Sequence, residues 1–131
     1  MTLEQVPRYD PNHVSSEHGT AIVIGGSMAG LLAARVVADR FDRVTIVERD
    51  PLRDEPVPRR GVPQGAHPHV LWPAGSDTME DLFPGFGEEL LSAGGLQIDG
   101  DRDFLAYDQG GFLASGTNRI PIYFASRPLI E

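Results

Sequence analysis

Between Gly25 and Gly30 the sequence reads Gly25-Gly26-Ser27-Met28-Ala29-Gly30, and 18 residues beyond Gly30 stands Glu48. A loop of this length, where a strand gives way to a helix, offers backbone N–H groups at the positive helix end to a pyrophosphate. A carboxylate closing the next strand accepts hydrogen bonds from ribose hydroxyls and disfavours a 2′-phosphate. Gly25 would permit the tight turn and Gly30 the close approach of helix to sheet. Ser27 replaces the second glycine of the usual G-x-G-x-x-G pattern. Its Cβ narrows the approach to phosphate, while its hydroxyl offers a hydrogen bond in partial exchange. Gly26, Met28 and Ala29 complete the loop, and Arg49 follows the acid directly. The plainer readings are a structural turn for the glycines and a solvated strand-end acid for Glu48. Their joint placement in a unit of about thirty residues favours a dinucleotide site.

Positioning these groups requires a βαβ unit, and the stretch from Thr20 to Asp50 has its pattern. Ala21-Ile22-Val23-Ile24 is a continuous apolar run, which suits a strand buried on both faces of a parallel sheet. From Ala29 to about Arg40, small and aliphatic residues predict a largely covered helix. Val44-Thr45-Ile46-Val47 is β-branched throughout and predicts a second strand, parallel to the first. The fold class expected is therefore α/β, an incomplete Rossmann-like FAD/NAD(P)-binding βαβ unit followed by helices and a small β-hairpin region.

Downstream, Pro51 to Pro68 carries five prolines with Arg53, Arg59 and Arg60, which predicts an extended surface loop. From His69 to Phe83 the pattern is helical but interrupted by Pro73 and Gly75. It predicts a helix that starts after Gly75, capped by Ser76 or Asp77 and stopped by Pro84-Gly85. Glu88 to Ser92 adds a turn. From Leu96 onward the segments LQID, FLAYD, GFLAS and RIPIYFAS are short and extended, with a hairpin connection at Asp108 to Gly111. Ser126 is placed to cap a helix beginning at Arg127. Residues 1–19 read as a loose polar tail ahead of residues 20–131.

With 131 residues there is room for about one domain and one core. A formal charge of -8 argues against a nucleic-acid binder, whose affinity comes from Lys and Arg neutralising phosphates. There is no cysteine, hence no disulfide framework and no thiolate metal site, and a cytoplasmic location is expected. No apolar run reaches 18 residues, so no membrane span is expected. His67 and His69 flank Pro68 without the Cys or acidic partners of a metal site, and no metal is assigned. Trp72, with Val70 and Leu71, is expected to cover a core. Glu80, Asp81, Glu88 and Glu89 read as a solvated face.

Three blocks carry a family resemblance: VIGGSMAGLLAARVVADRFDRVTIVERD, RRGVPQGAHPHVL and ASRPLIE. Together they resemble the front of p-hydroxybenzoate hydroxylase-type flavin monooxygenases, in flavour the bacterial epoxidase-like branch. The resemblance implies FAD, with its pyrophosphate at Gly25 to Gly30 and its ribose at Glu48. It also implies that Arg60 reaches the cofactor from the loop after the second strand, and that Arg127 stands near the flavin phosphates. Ala66 stands where related sequences often carry arginine. In the intact family NAD(P)H reduces the flavin and oxygen then hydroxylates or epoxidises a small organic substrate, chemistry that belongs to the cofactor. No catalytic side chain is assigned in this segment. Family members are much longer chains with later G-D-G and G-D cofactor segments. The resemblance therefore implies that residues 20–131 are the N-terminal part of an FAD-binding domain, expected to be inactive alone and to associate with itself or a C-terminal partner. Two alternatives compete: a nicotinamide dehydrogenase, which falls behind for want of a Tyr-x-x-x-Lys pair, and a non-catalytic dinucleotide-binding or interaction module.

Overall fold

A computed structural model describes residues 8–13 and 15–131. The fold is mixed α/β. Strand β1 (Thr20–Ile24), helix α1 (Met28–Ala38) and strand β2 (Arg43–Val47) follow one another as expected. The two strands pair in parallel, from Thr20 opposite Arg43 to Ile24 opposite Val47. The ladder closes where Gly25 N–H donates to Val47 O at 2.8 Å. One expectation needs correction: β1 is not buried on both faces. Ile22 is 66% exposed, Ile24 87% and Val47 52%, because α1 covers only the face of Ala21 and Val23. Among the described residues β1 pairs with β2 alone.

The chain then runs through the proline-rich loop, with one 3-10 turn at Pro63–Ala66. It continues as β3 (Pro68–Leu71), α2 (Pro73–Leu82), α3 (Phe86–Ser92), β4 (Leu96–Asp99), β5 (Tyr107–Asp108), β6 (Gly111–Phe112), β7 (Pro121–Ser126) and α4 (Arg127–Ile130). β7 is the centre of an antiparallel sheet ordered β3-β7-β4, which the local patterns did not suggest. Helix α2 starts at Pro73 rather than after Gly75. Proline suits the first helical position, where its missing N–H is no loss. Ser76 is not the cap; its hydroxyl donates instead to the Pro73 carbonyl at 3.0 Å. Trp72 occupies the cap position and is 59% exposed, so it does not cover the core. Leu71 does, since alternation along β3 turns it inward.

The stop at Phe83-Pro84-Gly85 holds, with Gly85 left-handed at φ 88°. The hairpin β5-β6 is shorter than its segments. Gln109 at φ 48° and Gly110 at φ 90° make both central residues left-handed, as a type I′ turn demands. Ser126 caps α4 as expected, accepting from Leu129 N–H. The core is small: Met79, Leu90 and Ile130 form its centre, with Met28, Leu32, Phe86 and Tyr123 packed against it. It joins α1, α2, α3 and α4 to β7, so the glycine loop is anchored from below.

Of the N-terminal tail, residues 1–7 and 14 lie outside the described residues. The rest is less loose than expected. Tyr9 donates its hydroxyl to Asp39, Arg8 pairs with Asp81, and Gly19 N–H donates to Asp42. The acidic residues near α2 are likewise more than a solvated face. Glu80 accepts from Gly85 N–H at 2.5 Å and Gly87 N–H at 3.1 Å, binding the start of α3, and those amides hold its carboxyl below the usual range. No helix among the described residues is long and apolar enough to cross a membrane.

Candidate functional site at the glycine loop

Gly25 turns the chain out of β1 at φ 101°, a conformation other residues adopt only under strain. The turn carries the chain over the strand end and into α1. A Cβ on Gly30 would lie 1.8 Å from the Gly25 carbonyl oxygen, so only glycine lets this helix sit so near its strand. Gly26 is buried beneath Glu48, whose side-chain atoms a Cβ there would meet at 3.2 to 3.4 Å.

Glu48 lies just past β2 and folds over the loop. One oxygen accepts from Gly26 N–H at 2.5 Å, the other from Asp50 N–H at 2.8 Å. The Asp50 and Gly26 amides, aided by the Arg49 amide and the Arg59 guanidinium, hold its carboxyl below the ordinary glutamate range. At neutral pH it is an ionised acceptor. Gly25, Ser27, Glu48 and Arg49, with Ile24 and Val47, line a cleft of about 310 Å³ at the carboxyl ends of β1 and β2.

Ser27 has the backbone of a helix cap but does not cap α1 with its own side chain. Its hydroxyl donates to Glu131 at 2.6 Å, and the same Glu131 oxygen accepts from Met28 N–H at 3.0 Å. The cap of α1 is thus supplied from 103 residues along the chain. Ala29 and Gly30 N–H have no acceptor among the described residues, as expected of a first helical turn.

Two arginines converge on this point. Arg127 Nε donates to Glu131 at 2.8 Å, and its Nη2 lies 3.4 Å from Ser27 Oγ, beside the glycine loop. Arg59 Nη2 donates to the Gly26 carbonyl at 2.9 Å and to Glu131. Its Nη1 is buried without a hydrogen-bond partner among the described residues, 3.8 Å from Glu48 Oε2. Arg60 is exposed instead and, with Arg49 and Asp50, borders an open cleft beyond the loop. Burial pushes the Glu131 carboxyl up, but hydrogen bonds from Ser27, Arg127, Arg59 and Met28 outweigh it and hold the group at about 2.

Arg59 and Glu131 are the residues that sequence reasoning missed. Arg59 stands beside an equally plausible arginine in an irregular loop, and nothing local tells which one turns inward. Glu131 had a signal: it lies four residues after Arg127, the spacing of an ion pair on one helix face.

The arrangement has three parts: close-packed glycines under a helix N-terminus, a fixed acid at the neighbouring strand end, and two partly buried arginines. No known protein-family profile matches the chain. It is similar to Protein Rv3254 of Mycobacterium tuberculosis, with 37% identity over 115 residues, 85% of this chain and 24% of the relative. The chain spans about a quarter of the length of the curated relative it matches.

Proposed function

We propose that the β1–glycine loop–α1–β2 unit is a Rossmann-like dinucleotide site whose ligand is FAD. The observation that carries this reading is the contact of Gly30 with Gly25, which draws the α1 amides to the strand end. Open α/β sheets hold their ligands in the crevice at the carboxyl ends of the strands, and the cleft beside Gly25, Ser27 and Glu48 lies at those ends. The residues fit such a ligand in two further respects. Among the described residues, the first-turn amides of Ala29 and Gly30 have no acceptor and are open to a phosphate oxygen, and Arg59 Nη1 is a buried donor atom with no hydrogen-bond partner.

In this role Glu48 accepts from the adenosine ribose hydroxyls. Being ionised at neutral pH, it disfavours a 2′-phosphate and so selects FAD or NAD over NADP in this pocket. Arg59 and Arg127 supply positive charge beside the loop. Bound FAD supplies the redox chemistry. We further propose, from the resemblance of the three sequence blocks, that the chain belongs to an FAD-dependent oxidoreductase of the monooxygenase type. NAD(P)H would serve as reductant, with oxygen and a small organic molecule as substrates. The chain's own residues bind and orient the cofactor, and no side chain here is assigned to a proton-transfer step.

The test is a titration of purified protein with FAD, followed by absorption and flavin fluorescence, with NAD and NADP as controls. Saturable FAD binding with weaker NAD and still weaker NADP binding is expected. A chain that binds none of the three is not a dinucleotide protein.

A further inference from the structure

The Glu131 side chain is only 7% exposed, and every hydrogen bond it accepts comes from a group that a phosphate would also want. Oε1 takes the Ser27 hydroxyl, the Met28 amide and Arg127 Nε; Oε2 takes Arg59 Nη2. We infer that Glu131 is an internal anion standing in the place of a ligand phosphate, which a diphosphate must displace to gain full contact with the loop. The inference rests on reading the loop as a phosphate site and names the residue that limits its affinity.

The competition follows from donor counting. Met28 has one amide proton and Ser27 one hydroxyl proton, and both are committed to the carboxylate. Of the loop's own donors, a phosphate arriving with Glu131 in place would find only the Ala29 and Gly30 amides, beside the unpartnered Arg59 Nη1. It would also face a fixed negative charge within hydrogen-bonding range, in surroundings that screen charge poorly. When the carboxylate leaves, the same hydroxyl, amide and two guanidinium groups are released together. It has room to leave. A cavity of about 260 Å³ borders it toward Met79, Phe83 and Leu90, and one of about 220 Å³ toward Leu31, Leu52 and Val57. A rival role, a permanent strut that aims Arg59 and Arg127 at the ligand, makes the opposite prediction, since its removal would weaken binding.

The experiment compares the unaltered chain with Glu131→Gln and Glu131→Ala, titrating each with pyrophosphate, ADP and FAD by calorimetry. At least tenfold tighter pyrophosphate and ADP binding is expected in Glu131→Ala, with a smaller gain in Glu131→Gln. Binding by the variants where the parent shows none supports the inference equally. If the parent binds and both variants bind equally or more weakly, Glu131 is a strut and the dinucleotide reading stands. If neither parent nor variants bind any of the three, both ideas fail. A second measurement needs no variant. When pyrophosphate is added to the unaltered chain, the Met28 amide and the Glu131 carboxyl-carbon resonances should shift together. A Met28 shift with Glu131 unmoved overturns the displacement.

Discussion

Gly30 packs against Gly25 so closely that a Cβ at position 30 would stand 1.8 Å from the Gly25 carbonyl oxygen. The neighbour is backbone and cannot rotate away, so a larger residue must lift α1 off β1. Alanine gains about 1 kcal/mol of helix propensity over glycine, but overpacking costs about 1–3 kcal/mol or more. With so deep an overlap the clash wins. Gly30→Ala is expected to lose about 2 kcal/mol in urea unfolding, and Gly30→Val to lose FAD binding as well. A folded Gly30→Val protein with undiminished FAD affinity would remove the glycine loop as the dinucleotide site.

Glu48 binds the Gly26 and Asp50 amides with both oxygens, and in the proposed role also takes ribose hydroxyls. Glu48→Ala should therefore weaken FAD binding by roughly tenfold to a hundredfold, the range for hydrogen bonds to a charged group. The loss should fall on the adenosine half. Competition with ADP-ribose checks this: equal affinity in parent and variant would make Glu48 a structural acid of the turn.

The Glu131 carboxyl, held at about 2 in the folded chain against an ordinary 4.5, also makes a prediction about acid stability. Its folded value is depressed, so its contribution is fully present above pH 4.5 and is lost as pH falls from there through about 2. The size of the shift corresponds to about 3 kcal/mol. Asp10, Asp39, Glu48 and Glu80 are also shifted down and share the acid window, so only a difference isolates Glu131. Urea midpoints of parent and Glu131→Gln, taken from pH 7 to pH 2, should converge as the acid is protonated. A constant gap between the two curves would show that the Glu131 carboxyl is not held below its ordinary value.

What the sequence made legible follows from range. The βαβ elements could be read because each announces itself within a few residues. Ala21 to Ile24 is apolar, Val44 to Val47 is β-branched, and glycines lie between. Ser126 as a cap and Gly110 in the hairpin turn are equally local. The three-stranded sheet was not legible, because β3 pairs with β7 across more than fifty residues, His69 opposite Ala125 and Leu71 opposite Tyr123. The same holds within the site. Gly25, Gly30 and Glu48 follow a spacing rule, whereas Arg59 and Glu131 reach the loop only through the tertiary fold. Trp72 misled for a related reason: its bulk suggests burial, but the strand's alternation assigns the inward place to Leu71.

The last prediction concerns the open side of the small parallel sheet. Ile22, Ile24 and Val47 expose their side chains on the face that α1 does not cover, and β1 has β2 as its one strand partner among the described residues. Unpaired N–H and C=O groups along an apolar strand edge form a template for further pairing, and charged residues on such edges are the usual protection. β1 has none, since it reads Thr-Ala-Ile-Val-Ile. The isolated chain is therefore expected to self-associate through β1 in a concentration-dependent way. Because Ile24 is 87% exposed, Ile24→Lys removes little packing and should change folding stability by no more than about 0.5 kcal/mol. It should, however, shift the population toward monomer. Size-exclusion chromatography with light scattering, run on both proteins over a range of concentrations, measures the outcome. A parent chain that stays monomeric at all of them, or an Ile24→Lys protein that associates as strongly as the parent, would show that this face is not where the copies meet.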